Sequence, residues 1–206
     1  MKWAWASIIG WAVAGAVGAE RVPWTTGRVR GAPEPPLPYI VERVVPQVTL
    51  REPVDAMVLP GTDRLAVAEL KGRLVTLKWH EQTGRADDFG DVRDWHPEAR
   101  ECYSMAFHPR FVENRQAFLL VILDSRGQPN RDDGTRVVRV RVTDEEPPRL
   151  EMAEAEEILS TVSGGHNGGN LRFGPDGYLY LGLGDAEVPE PPDPRVTGQD
   201  ISDLPA

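Results

Sequence analysis

From Ser163 to Asp185 the chain reads SGGHNGGNLRFGPDGYLYLGLGD, and this stretch holds the residues best suited to acid–base chemistry. His166 and Asn167 stand between two glycine pairs, Gly164-Gly165 and Gly168-Gly169. Glycine carries no side chain and takes positive φ freely, so such a loop lets backbone approach a flat ligand and leaves the imidazole accessible. An imidazole can take a proton from a hydroxyl near neutral pH when a carboxylate fixes its tautomer and stabilises the imidazolium. Asp185 is the natural carboxylate. The two apolar runs flanking Gly174-Pro175-Asp176-Gly177 predict a hairpin that leaves the loop and returns to it, which puts His166 and Asp185 at one end of one sheet. The plain alternative is a glycine-rich turn with an exposed or capping histidine.

Other chemistries find less support. No G-K-[ST] occurs, and no G-x-G-x-x-G opens a helix, so nucleotide motifs are missing. His80, His96 and His108 are scattered without short ligand spacings and read as structural; Asp132-Asp133-Gly134 reads as a solvated turn. Cys102 is the single cysteine, which leaves no internal disulfide and no thiolate zinc site, and its role is that of a small buried hydrophobe. The acidic, proline-rich AEVPEPPDPR, 186–195, is a stiff loop that either walls a pocket or merely connects.

The elements that must hold the histidine loop are short β-runs punctuated by turns. LPGTDRLAVAELKGRLVTLKW predicts a Pro-Gly turn, a strand over 65–70, a Lys71-Gly72 turn and a strand over 73–79. A turn at His108-Pro109 precedes a buried strand over 117–123. Val138, Val140 and Val142 alternate with Arg139 and Arg141, the period of a strand with one wet face. RLEMAEAEEIL, 149–159, has helical propensity among strand-forming neighbours and stays open between the two. Three segments share a plan in which a Gly/Pro turn opens an apolar strand; unequal repetition of this kind fits the radial sheets of a β-propeller, and an irregular sandwich equally.

The chain has 206 residues, 40% of them hydrophobic, and a formal net charge of -9. That balance argues against a nucleic-acid partner, which needs clustered Lys and Arg, and favours a small neutral or polar ligand. At the N-terminus Lys2 precedes an apolar stretch from Trp3 to Val17, with small residues at Val17 and Ala19. This order predicts an export signal over 1–19, cleaved after Ala19, rather than an anchor, since the stretch falls short of the ~20 apolar residues a span needs. No membrane span is expected after cleavage, and the protein is expected in the periplasm or outside the cell. GAPEPPLPY lies in a Pro-rich spacer over 20–43, and the folded part is expected over 44–206.

GGHNGGNLRFGPDGYLYLGLGD, with ECYSMAFHPRFVENR and TGQDISDL, resembles the glucose/sorbosone dehydrogenase family, exported relatives of soluble quinoprotein glucose dehydrogenase. The resemblance covers about residues 39–204. It implies an all-β, six-bladed propeller of which this chain holds the first two to three blades, a truncated product, since six blades of roughly 40–50 residues exceed this length. It further implies pyrroloquinoline quinone with calcium, a sugar or aldehyde substrate, and a c-type cytochrome as electron acceptor. His166 becomes the general base while hydride passes to the quinone, and Asp185 orients it. Asn167 and Gly168 become cofactor contacts, no metal ligand is assigned, and the loop glycines clear room beside cofactor and sugar. The chain departs from the family where a polar amide precedes the His-Pro turn, here Ala99 with Glu101 nearby, and where an acid precedes the histidine, here Gly165; both put glucose in question as substrate. Two other readings stand beside this one: a secreted non-catalytic propeller that binds glycan or protein, and an inactive truncated product whose open sheet edges disfavour folding alone.

Overall fold

The computed structural model describes residues 42–80 and 84–187. The expected export signal, the spacer through residue 41 and most of AEVPEPPDPR lie outside the described residues. Within 43–187 the turn signals mark the boundaries of antiparallel meanders. Strands β1 (Pro53–Val58), β2 (Arg64–Glu69), β3 (Arg73–Lys78) and β4 (Asp87–Asp91) pair in chain order as one four-stranded sheet. Strands β5 (Ala99–Phe107), β6 (Gln116–Leu123), β7 (Arg131–Arg141) and β8 (Glu156–Ser163) form a second, with a one-turn helix α1 (Phe111–Asn114) after the His108-Pro109 turn. A hairpin of β9 (Asn170–Phe173) and β10 (Leu179–Gly182) begins a third. Successive meanders packed face to face are propeller blades. No helix among the described residues is long and apolar enough to cross a membrane.

Burial follows from this layering. Leu59, Leu74 and Phe89 of the first blade meet Met105, Leu119 and Val121 of the second in the main core. The second blade's other face, Ala106, Phe118, Leu120 and Val137, packs on Leu171, Leu179 and Leu181 of the hairpin. A strand buried on both faces has no use for alternation, and β6 is apolar from Ala117 to Leu123. The expected alternation holds, with Val138 and Val140 of β7 and Val142 just beyond it in the main core. Val137 is buried too, on the opposite face, because that face packs with Ala106, Phe118, Leu120 and Leu171 in the second core.

Two segments differ from expectation. Over 149–159 the chain is neither one helix nor one strand: Leu150 bridges Val142, a 3-10 turn covers Met152–Glu154, and β8 starts at Glu156. Pairing along β7 overrides the helical propensity of Ala and Glu. Asp132-Asp133-Gly134 is not a solvated turn but the irregular start of β7, where Asp133 takes ion pairs from Arg131 and Arg136 at 2.6 Å each.

One polar cluster ties all three blades together. Asp55 on β1, its side chain only 6% exposed, accepts from Ser104 Oγ (2.7 Å) and the Met105 N–H (3.1 Å) on β5, and from Arg172 Nη2 (2.8 Å) and Nη1 (3.1 Å) on β9. Ser104 Oγ accepts in turn from the Leu171 N–H at 3.0 Å. Burial alone pushes the Asp55 carboxyl up, but the donors from Arg172, Ser104 and Met105 outweigh it and hold it below its usual value of 3.8.

A depressed folded-state pKa contributes stability that is complete above the unfolded value and is lost as pH falls through the folded one. Asp55→Asn should therefore cost about 2 kcal/mol at neutral pH, and its deficit against wild type should shrink below about pH 3.8, measured by thermal melts across pH; a deficit constant with pH contradicts the assignment. Burial pushes the Cys102 thiol up to about 12. It should resist a thiol-labelling reagent at about pH 8 until the protein unfolds, and rapid native-state labelling would show the pocket to be open.

Candidate active site

The loop leaves β8 at Ser163 and enters β9 at Asn170, and its shape is set by backbone bonds to the segment after β10. The β9–β10 ladder ends with Gly182 opposite Asn170. Beyond it Gly184 donates its N–H to Asn167 O (2.9 Å), Ala186 to His166 O (3.0 Å) and His166 to Glu187 O (2.7 Å). The hairpin thus continues past its ladder, and these bonds carry His166 and Asp185 alongside each other. His166 Nδ1 lies 3.2 Å from Asp185 Oδ1, with the side chains 50% and 33% exposed. An ionised carboxylate only accepts, so Nδ1 carries the proton and Nε2 presents its lone pair. Asp185 Oδ1 also accepts from the Glu187 N–H at 3.1 Å, which restrains the acid as well.

The other two site residues have different surroundings. Asn167 is buried, and its Oδ1 accepts from the Gly164 N–H at 2.7 Å, closing the loop on itself. Gly168 is exposed and sits at φ +54. Two of the four loop glycines are required by the protein's own packing, not by free space for a ligand. A Cβ on Gly164 would overlap the Ala186 carbonyl oxygen, and one on Gly169, at φ +129, would overlap Leu120 Cδ2.

Beside the loop lies a cleft of about 410 Å³, lined by Asn167 and Gly164 from the loop and by Lys71, Arg100, Glu101 and Asp124. The β5 side of the cleft is irregular. The register with β6 slips between Ala99 and Glu101 and again between Cys102 and Ser104, leaving Arg100 and Tyr103 as extra residues. Such bulges bend a strand and re-aim its side chains. Ala99 consequently faces the main core, fully buried, while Glu101 reaches the cleft. Tyr103 packs in the second core beside Asn167; burial, followed by the Glu101 charge, pushes its phenol up. Lys71 pairs with Glu101 at 3.5 Å and Arg100 with Asp124 at 3.1 Å. Lys71, Arg100 and Tyr103 were not expected here from the residue pattern, and the only trace of the bulges is the broken alternation in ARECYSMAF.

Propeller blades carrying an imidazole–carboxylate pair on an interblade loop define the class of protein. Residues 50–203 match the family described as Glucose / Sorbosone dehydrogenase, and the chain belongs to that family. An oxidoreductase provisionally assigned as a glucose dehydrogenase, from Thermus thermophilus, shares 26% identity at a TM-score of 0.56, over 79% of this chain and 44% of its own. The PQQ-bound aldose sugar dehydrogenase of Streptomyces coelicolor shares the fold, with 21% identity and a TM-score of 0.55 over 72% and 42% of the two chains. Among curated proteins, human Hedgehog-interacting protein is 29% identical over 156 residues, 68% of this chain and 21% of that protein. HIPL2 protein of Arabidopsis thaliana is 30% identical over 114 residues, 39% and 16% of the two. The chain thus spans about a fifth of these curated relatives and less than half of these solved structures.

The glycine geometry yields a paired test. Gly164→Ala should cost about 1–3 kcal/mol through the forced backbone shift at Ala186. Gly182→Ala, with no atom within 4 Å of the added methyl, should stay within about 0.5 kcal/mol of wild type. Equal melting temperatures for the two variants would count against the loop geometry.

Proposed function

We propose that the chain carries the base-bearing part of a PQQ-dependent sugar or aldehyde dehydrogenase. Nε2 of His166 takes the proton from the hydroxyl of the substrate carbon as that carbon gives up hydride. Asp185 holds the ring through Nδ1 and stabilises the imidazolium that results. The quinone, when bound, supplies the two-electron acceptor. The single observation that carries this reading is the 3.2 Å His166–Asp185 pair, fixed from both sides by backbone hydrogen bonds.

The cleft residues suit a planar quinone with carboxylate substituents in two respects. Lys71 and Arg100 are cations at its rim and Asn167 lines it from the loop; Asn167 and Gly168, the residue after it, are the loop positions that would lie against the rings. Among the described residues no three His, Cys, Asp or Glu gather as a ligand set for the calcium that the family resemblance implies. In the same reading the protein is exported, the leader being MKWAWASIIGWAVAGAVGA, and it passes electrons to a c-type cytochrome.

A second reading has its own support. The curated relatives include Hedgehog-interacting protein, and this chain has Ala99 buried in the core and Gly165 ahead of the histidine, where the dehydrogenases carry polar groups. Those features favour a binding module for a protein or glycan. Calorimetry separates the two: stoichiometric quinone binding supports the dehydrogenase, and sugar binding without quinone supports the module.

A full-length protein containing this chain, reconstituted with PQQ and calcium and offered aldoses or aldehydes, should reduce an artificial electron-accepting dye. His166→Ala should lower that turnover about 10²-fold or more, the loss expected for a general base. Turnover unchanged by this substitution rules out the assigned role.

A further inference from the structure

We propose that Asp55, two blades away along the chain, is a positioning residue for the His166–Asp185 pair; this rests on the reading of that pair as the reacting centre. Among the described residues β9 forms a backbone ladder with β10 and none with β1 or β5. What fixes the hairpin and its flanking segments against the second blade is apolar packing, the Asp55 cluster, a Tyr103–Asn167 side-chain hydrogen bond and one long contact from Asn130 Nδ2 to Glu187 Oε1 at 3.4 Å. Leu171 gives its N–H to Ser104 Oγ, and Ser104 gives its O–H to Asp55 Oδ2. Arg172 closes on both carboxylate oxygens and on Ser104 Oγ at 3.2 Å. One carboxylate therefore collects donors from β5 and from β9 at once.

His166 and Asp185 both ride on that hairpin, one just before β9 and the other just after β10, and they are joined to each other by bonds internal to it. The cleft residues Arg100, Glu101 and Asp124 belong to the second blade. Asp55 is thus not needed for the pair to exist; it sets where the pair stands relative to the cleft. A displacement of about 1 Å at a reacting group can cost about 10²-fold in rate, so a carrier of this kind matters without touching substrate.

The test is Asp55→Asn in the full-length protein, which keeps size and one acceptor but loses the charge Arg172 grips. The variant should melt cooperatively. Exchange of the Leu171 amide should speed about 10-fold or more, while amides in the β2–β3 ladder stay as they were. The downfield imidazole Nδ1–H resonance of His166 should persist, and kcat for dye reduction should fall about 10-fold with an unchanged pH profile. Arg172→Met should do the same, and the double variant should lose little more than either alone, because both remove one interaction. Wild-type kcat and Leu171 exchange in Asp55→Asn would overturn the proposal, as would loss of the Nδ1–H resonance in a folded variant. If wild-type protein shows no turnover, the reading of the pair fails, and residual dipolar couplings decide the positioning: a hairpin reoriented against β5–β8 in Asp55→Asn upholds it, an identical orientation refutes it. Should Asp55→Asn not fold, Arg172→Lys, which keeps the charge without the fork, is read by the same measurements.

Discussion

A buried carboxylate shared by three blades is the constraint around which this structure is arranged. Among the described residues neighbouring blades have no backbone ladder between them; they adhere mainly by side-chain packing, with single backbone bonds from the Cys102 N–H to Leu70 O and from the Leu150 N–H to Phe89 O between the first two. Side-chain packing tolerates sliding, and Asp55 does not. A carboxylate with so little of its side chain exposed is destabilising unless donors meet its oxygens, and Ser104, the Met105 N–H and Arg172 supply them. Moving any one strand leaves an unpaired polar group in the interior. Directional bonds that reach all three blades from one carboxylate therefore help fix a register that apolar contact alone would leave loose.

The histidine loop illustrates how the same economy works on a smaller scale. Six residues rich in glycine would ordinarily sample many conformations, and ordering them costs roughly 1–2 kcal/mol each. The loop is held because it is treated as strand: His166 and Asn167 exchange backbone bonds with the segment after β10, and Asn167 caps Gly164 from within. Glycine is needed where the two backbones press together, at Gly164, and where Leu120 comes up from the second blade, at Gly169. The accessible imidazole is a consequence of this close packing beneath it.

Much of this was legible in the residues. Turn signals at Lys71-Gly72, His108-Pro109 and Pro175-Asp176-Gly177 marked the strand ends to within a residue or two, since tight turns are chosen by local backbone preference. The meeting of His166 and Asp185 was legible too, because a hairpin is the most local of long-range contacts. What escaped was everything set between strands. The bulges at Arg100 and Tyr103 depend on the register of β5 against β6, and they decide that Ala99 turns to the core while Glu101 turns to the cleft. Asp55 gave no sign of its partners, which lie 49 and 117 positions away. RLEMAEAEEIL resisted because its composition favours a helix that the free side of β7 does not permit.

Burial of the cation or of its carboxylate partner sorts the cations of this protein into those that can serve a ligand and those that cannot. Arg64 is nearly sealed between Asp87 and Glu146, at 2.8 and 2.5 Å, and Arg172 is locked to the buried Asp55. Taking either away from its partner would strand an interior charge. Lys71 and Arg100 are 68% and 49% exposed, and exposed ion pairs contribute only about 0–1 kcal/mol. Their present partners, Glu101 and Asp124, line the same cleft, so exchanging one carboxylate for another there costs little. The cleft rim is thus the place where an incoming anionic group meets cations cheaply released from their partners, in a cleft lined by Asn167, the residue that follows His166.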